Sequence, residues 1–224
     1  MKLLDWHSMD KLNQVSVPVQ TKELLSILEC KLASNSPLKF ISPVDGTDIC
    51  VQVGNRTFPN WKPREQPLKP YQHWNKRYWL NHDEMPHFAE TACIEQFHRF
   101  EWDARWVTWS SGKPAFRTAP IEGHTKPLVS LQKELFDAVF NSKKSLESDL
   151  IRRGFDPKKI GGGCWDVIGW QKDKIVFVEC KQYSKNGSKQ WKDALQLSQK
   201  IWIASALNVG LSTNDFLLLD WHLS

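Results

Sequence analysis

Three consecutive glycines, Gly161-Gly162-Gly163, open the stretch that most constrains the fold. Cys164-Trp165-Asp166 follow, then the apolar run Val167-Ile168-Gly169-Trp170 and the polar residues Gln171-Lys172-Asp173-Lys174. A second apolar run, Ile175-Val176-Phe177-Val178, ends in Glu179-Cys180-Lys181. Two short apolar runs about a polar turn predict a β-hairpin. Side chains alternate across a strand, so Glu179 and Lys181 share one face, while Cys180 takes the other with Val176 and Val178. Asp166 lies on the partner strand and approaches them across the hairpin. Two carboxylates and an amine then meet at the end of a sheet, where a hard divalent cation finds oxygen ligands.

Downstream, Asp193 and Gln196 have capping-box spacing, and a helix is predicted from there to about Asn208, ended by Gly210. Gln199, Trp202, Ile203 and Ala206 share one face of it. A glutamine on a mostly apolar face needs a hydrogen-bond partner. Residues 215–221, Asp-Phe-Leu-Leu-Leu-Asp-Trp, read as a buried strand.

Upstream, Thr21 caps a helix expected to reach about Leu32. Residues 38–41 and 49–53 read as strands around a turn at Asp45-Gly46, with a further strand at 56–58. Residues 56–80 then change character, with prolines at 59, 63, 67 and 70. Arg56, Lys62, Arg64, Lys69, Lys76 and Arg77 alternate there with Trp61, Tyr71, Trp74, Tyr78 and Trp79. Such a mixture suits a nucleic-acid groove, with charges on phosphates and rings on bases, and equally a linker packed on its neighbour. Lys185 and Lys189, after the hairpin, extend the set of candidate phosphate contacts.

A helix is expected from about Glu84 to Phe100, with Asp83 as its cap. Ala89, Cys93, Phe97 and Phe100 form its apolar stripe, and Glu90 stands at the edge of that stripe, where a carboxylate needs a reason. Residues 105–109 read as a strand. Residues 112–160 look like an insertion with two helices, about 128–140 and 145–153. Lys143, Lys144, Arg152, Arg153, Lys158 and Lys159 put positive charge before the glycine run; some of them could contact phosphates, and solvated helix surface is the default reading for any one.

The 224 residues and net charge of +5 fit a globular chain and permit a polyanionic partner without establishing one. No apolar run approaches 18 residues and the opening residues lack a signal-peptide pattern, so no membrane association is expected. Five widely spaced cysteines without a Cys-x-x-Cys pair argue against a disulfide framework or structural zinc and for a reducing compartment, cytoplasm or nucleus.

Asp166 with Glu179-Cys180-Lys181 resembles the signature of the PD-(D/E)xK nucleases. Leu197-Ser198-Gln199-Lys200-Ile201-Trp202 is similar, more narrowly, to the VRR-NUC branch, which carries a Gln and an aromatic on the helix after the Lys. Glu90 and Phe97-His98-Arg99-Phe100-Glu101-Trp102-Asp103 resemble the first helix of the Fanconi-associated nuclease catalytic domain. Trp165 stands where that family usually has Pro.

The resemblance covers residues about 86 to 224 and implies an α/β fold of the restriction-endonuclease type, a mixed central sheet flanked by helices, in a nuclease domain of residues 81–224 with the helical insertion 112–160. Residues 1–80 become a small α+β accessory region. It implies hydrolysis of DNA phosphodiesters with Mg²⁺ or Mn²⁺, on flap, branched or single-stranded substrates in replication or repair, with a homodimer possible. Carried over, Asp166, Glu179, Lys181, Gln199 and Glu90 are catalytic, and Asp166, Glu179, the Cys180 carbonyl and Glu90 hold the metal; Glu134 and Glu147 are substitutes for Glu90. A restriction-type duplex endonuclease and a catalytically silent nucleic-acid-binding module are the alternatives.

Overall fold

The computed structural model describes residues 21–34, 36–58, 89–110, 113–117, 128–182 and 195–223, and the backbone of the two-residue strands 62–63, 79–80 and 86–87. Strands β1 (Lys31–Leu32), β2 (Leu38–Ile41) and β3 (Asp48–Phe58) follow helix α1 (Thr21–Ile27). Three minimal strands, β4 (Lys62–Pro63), β5 (Trp79–Leu80) and β6 (Pro86–His87), make a small antiparallel sheet of their own. Then come α2 (Ala89–Arg99), β7 (Asp103–Ser110), β8 (Lys113–Arg117), α3 (Ser130–Arg152) and α4 (Pro157–Ile160). The hairpin β9 (Val167–Gln171) and β10 (Lys174–Gln182), helix α5 (Leu197–Asn208) and β11 (Phe216–Leu223) complete the order.

Eight strands form one mixed sheet, β1-β3-β11-β10-β9-β7-β8, with β2 also on β3. β10, β11 and β3 run parallel at its centre, and the remaining pairs are antiparallel. Helices cover both faces, as the sequence predicts for this class, and the arrangement is compatible with a restriction-endonuclease-like fold. On one face Phe136, Val139, Trp202 and Ile203 pack on Phe177, Phe216 and Leu218. On the other, Leu24, Leu28, Cys93 and Phe97 pack on Val176, Val178 and Leu217. Gly169 is required there: a Cβ would stand 2.9 Å from the Phe97 ring.

The sheet crosses the boundary expected at residue 80. β3 lies parallel to β11 from Gln52↔Leu217 to Phe58↔Leu223, so the region expected to be accessory supplies three strands of the central sheet. Long-range parallel pairing leaves no local mark in a sequence.

Several element limits also move. The first helix ends at Ile27 rather than near Leu32, because Glu29 turns into the left-handed region (φ 50°) and Cys30 N–H closes back on Leu25 O at 2.9 Å. The helix expected from Glu84 starts at Ala89, since Pro86 and His87 pair with β5 instead. The two helices expected in 112–160 are one helix, α3, of 23 residues. Asn141 and Ser142 are poor helix formers but cost only tenths of a kcal/mol each, far less than a Gly or Pro break. Among the described residues, no helix is long and apolar enough to cross a membrane.

Candidate active site

The hairpin forms as its pattern predicts, with Val178 opposite Val167 and Lys174 opposite Gln171 about the turn at Lys172-Asp173. Asp166 directly precedes β9, so the register carries it opposite Glu179. The Cys180 N–H donates to Asp166 Oδ2 at 3.0 Å. The Asp166 carbonyl is fixed in turn by the Val107 N–H on β7, at 2.7 Å. The N–H and C=O of one strand residue point to the same side. The Cys180 carbonyl therefore also faces the space beyond the start of β9.

Glu179 is only 2% exposed. Its Oε1 accepts from Lys181 Nζ at 2.7 Å and from Gln199 Nε2 at 2.5 Å. Gln199 Oε1 accepts from the Gln196 N–H at 2.8 Å and Lys181 Nζ at 3.4 Å. The first turn of α5 is thus tied to both ends of the Glu-Cys-Lys tripeptide. Gln196 caps the helix; Asp193, the residue expected to do so, lies outside the described residues. The glycine run brings this helix end close to the hairpin. Gly163 has φ +64°, and a Cβ on it would lie 2.9 Å from Ser198 Oγ.

Burial pushes the Glu179 pKa up; the Lys181 ammonium, and then the contacts with Gln199 and Asp166, pull it back in part. Burial also raises the Cys164 and Cys180 thiols well above their usual range, and the charges of Asp166 and Glu179 raise Cys164 further. Both are neutral thiols at physiological pH and poor nucleophiles. All five cysteines are free.

Glu90 is buried on α2, the helix on the opposite face, where its charge bears on the Cys180 thiol. Among the described residues, no three side chains of His, Cys, Asp and Glu converge closely enough to hold an ion by themselves. Of the two substitutes for Glu90, Glu134 is exposed on α3, and Glu147 pairs with Lys143 and Lys144.

Arg56 pairs with Trp221 across β3 and β11, on the face opposite Lys181, and is held by Glu29 at 2.9 Å and by the Phe58 ring at 4.7 Å. Lys62 is described only as backbone in β4, and Arg64, Lys69, Lys76, Arg77, Lys185 and Lys189 lie outside the described residues.

Compared with protein-family models, curated proteins and solved structures, the chain matches none.

The oxygen atoms at the hairpin do fit a hard cation. Glu179 Oε2 is buried with no hydrogen-bond partner, although Oε1 of the same carboxylate has two. Asp166 stands within hydrogen-bonding reach of that carboxyl group. Two carboxylates, a backbone carbonyl and retained waters are the usual surroundings of Mg²⁺.

One supporting residue escaped the sequence reading altogether. Lys143, expected on a solvated surface, is fully buried at 0% exposure. Its ammonium pairs with Glu147 and donates to Gly162 O at 2.9 Å. It therefore clamps the glycine turn that leads into Asp166. Burial lowers its pKa, and the Glu147 carboxylate works against that. The only signal in the sequence is a Lys and a Glu four apart, the commonest of surface pairs.

Proposed function

We propose that the chain is an Mg²⁺- or Mn²⁺-dependent nuclease that hydrolyses DNA phosphodiesters, acting on flap, forked or single-stranded substrates. The observation that carries this reading is the convergence of Asp166, Lys181 and Gln199 on the buried Glu179 carboxylate, whose second oxygen, Oε2, has no hydrogen-bond partner. The choice of DNA, and of its branched forms, rests on the resemblance to the VRR-NUC branch.

Asp166, Glu179 and the Cys180 carbonyl would hold the cation, which supplies Lewis-acid activation of water and neutralises charge on the phosphoryl oxygens. The chain's own groups divide the remaining work. Gln199 fixes the Glu179 carboxylate in one rotamer and orients the Lys181 amine. Lys181 is 26% exposed, and its ammonium can meet a phosphate oxygen or orient the attacking water. Burial around Glu179 lowers the local dielectric and strengthens each of these contacts.

The test is cleavage of labelled flap, fork and single-stranded DNA in Mg²⁺, with and without EDTA. Cleavage that EDTA abolishes and added Mg²⁺ restores is expected. Discrete fragments from plasmid duplex instead would favour a restriction-type enzyme. Salt-sensitive DNA binding without any cleavage would favour a silent binding module.

A further inference from the structure

The face that carries Glu179 and Lys181 continues past them. Lys181 on β10 stands opposite Asp220 on β11, and Asp220 opposite Asn55 on β3. Paired residues of neighbouring strands project to the same face, so the three form a row in steps of about 4.8 Å. The facing positions earlier on these strands are filled by Leu218 and Val53, which belong to the core under α3 and α5.

Asp220 is only 6% exposed, in a strand that otherwise runs Phe-Leu-Leu-Leu before it. Its Oδ1 and the Oδ1 of Asn55 are both buried without a hydrogen-bond partner. An unpartnered buried acceptor is costly and uncommon, and here two occupy paired positions on adjacent strands. Burial raises the Asp220 pKa to about 6, which leaves it mainly a carboxylate at neutral pH. The Asp220 carboxylate repels a phosphate, and the two unpartnered oxygens attract a hydrogen-bond donor. The next group along a nucleic-acid strand from a phosphate is a sugar, and its only donor is a hydroxyl.

We infer that Asp220 and Asn55 form a subsite for a sugar hydroxyl beside the phosphate held at Lys181. The shared chemistry is the hydroxyl donor; a 3′ terminus and the 2′ position of a ribonucleotide are its two sources. The subsite rests on the nuclease reading, because that reading puts the phosphate at Lys181. It deepens that reading by giving the enzyme a way to recognise a strand end or a ribose.

The experiment measures binding of the full chain in Ca²⁺, used to slow hydrolysis, to three labelled oligothymidylates by fluorescence anisotropy. One has a 3′-hydroxyl end, one a 3′-deoxy end, and the third a 3′-deoxy end with a single internal ribonucleotide. Thymine lacks an exocyclic amine, which removes base amino groups as the donor. At least one hydroxyl-bearing oligonucleotide should bind about tenfold tighter than the hydroxyl-free one, in line with a hydrogen bond to a charged acceptor. Which one does so identifies the source.

In Asp220→Leu the ratio should fall to about one, and Asp220→Asn, which keeps a carbonyl acceptor, should retain part of it. If Asp220→Leu does not fold, Asn55→Ala carries the same test, with a reduced ratio expected. Equal affinities in the wild type, or an unchanged ratio in the variants, would overturn the inference. So would loss of a bound divalent ion in Asp220→Leu, which would make the pair a cation site. A protein that keeps the ratio but cleaves nothing loses the nuclease reading alone. One that cleaves but shows equal affinities loses only this subsite, and one that binds none of the three loses both.

Discussion

Replacing Lys181 by Ala is expected to lower DNA cleavage by at least about 10³-fold while leaving the fold intact. Removing one preorganised electrostatic donor from an active site costs about 10² to 10³ in rate. Lys181 contributes more than one such contact: it bonds Glu179 Oε1 at 2.7 Å and reaches Gln199 Oε1 at 3.4 Å. Its loss leaves Glu179 buried with Gln199 as the remaining donor in that network. The side chain is 26% exposed and Gln199 still donates to Glu179, so the stability loss should stay below that of breaking a fully buried pair, with the fold retained at a melting temperature several degrees lower. Single-turnover cleavage and thermal unfolding of the same preparation check both halves. Full activity in the variant would remove the amine from the chemistry.

The second large effect is on stability. Lys143→Met should destabilise the fold by about 3 kcal/mol or more, because breaking a buried ion pair strands the other charge. Glu147 would keep Lys144 as a partner at 3.0 Å, which places the loss toward the low end of the range of about 3–5 kcal/mol for such pairs. Gly162 O would also lose its donor. The double variant Lys143→Met with Glu147→Leu should recover much of the loss, since well-packed apolar residues often replace a buried pair without penalty. Urea unfolding of the three proteins gives the comparison. Equal stability of Lys143→Met and wild type would show that the buried pair contributes nothing.

The hairpin and the approach of Asp166, Glu179 and Lys181 were legible in the sequence because they are local. A period of two fixes the faces of Glu179, Cys180 and Lys181, and the short polar turn fixes the register that brings Asp166 alongside. Gln199 was legible for a related reason: a polar residue on an apolar helical face must find a partner, and it finds Glu179 and Lys181. What the sequence hid depends on packing between distant segments. Glu90 and Cys93 share one face of α2, but which end of the sheet that face meets is decided by tertiary contacts. Arg56 looked like part of a basic, aromatic stretch, yet it belongs to β3, whose pairing with β11 turns it to the opposite face. Lys143 has the spacing of a surface pair but is buried, with its ammonium turned to Glu147 and the glycine turn at Gly162. Asp220 did leave a trace, as an isolated acid in an apolar strand, but only the pairing with Asn55 and Lys181 gives it a context.

The most direct test of the central claim is the position of a bound divalent ion. Crystals soaked in Mn²⁺ and measured at its absorption edge should show an anomalous peak in contact with the Asp166 and Glu179 carboxylates and the Cys180 carbonyl, and that peak should vanish in Asp166→Asn. A peak elsewhere on the chain, or none at Mn²⁺ concentrations that sustain cleavage, would contradict a metal-dependent site at the head of this hairpin.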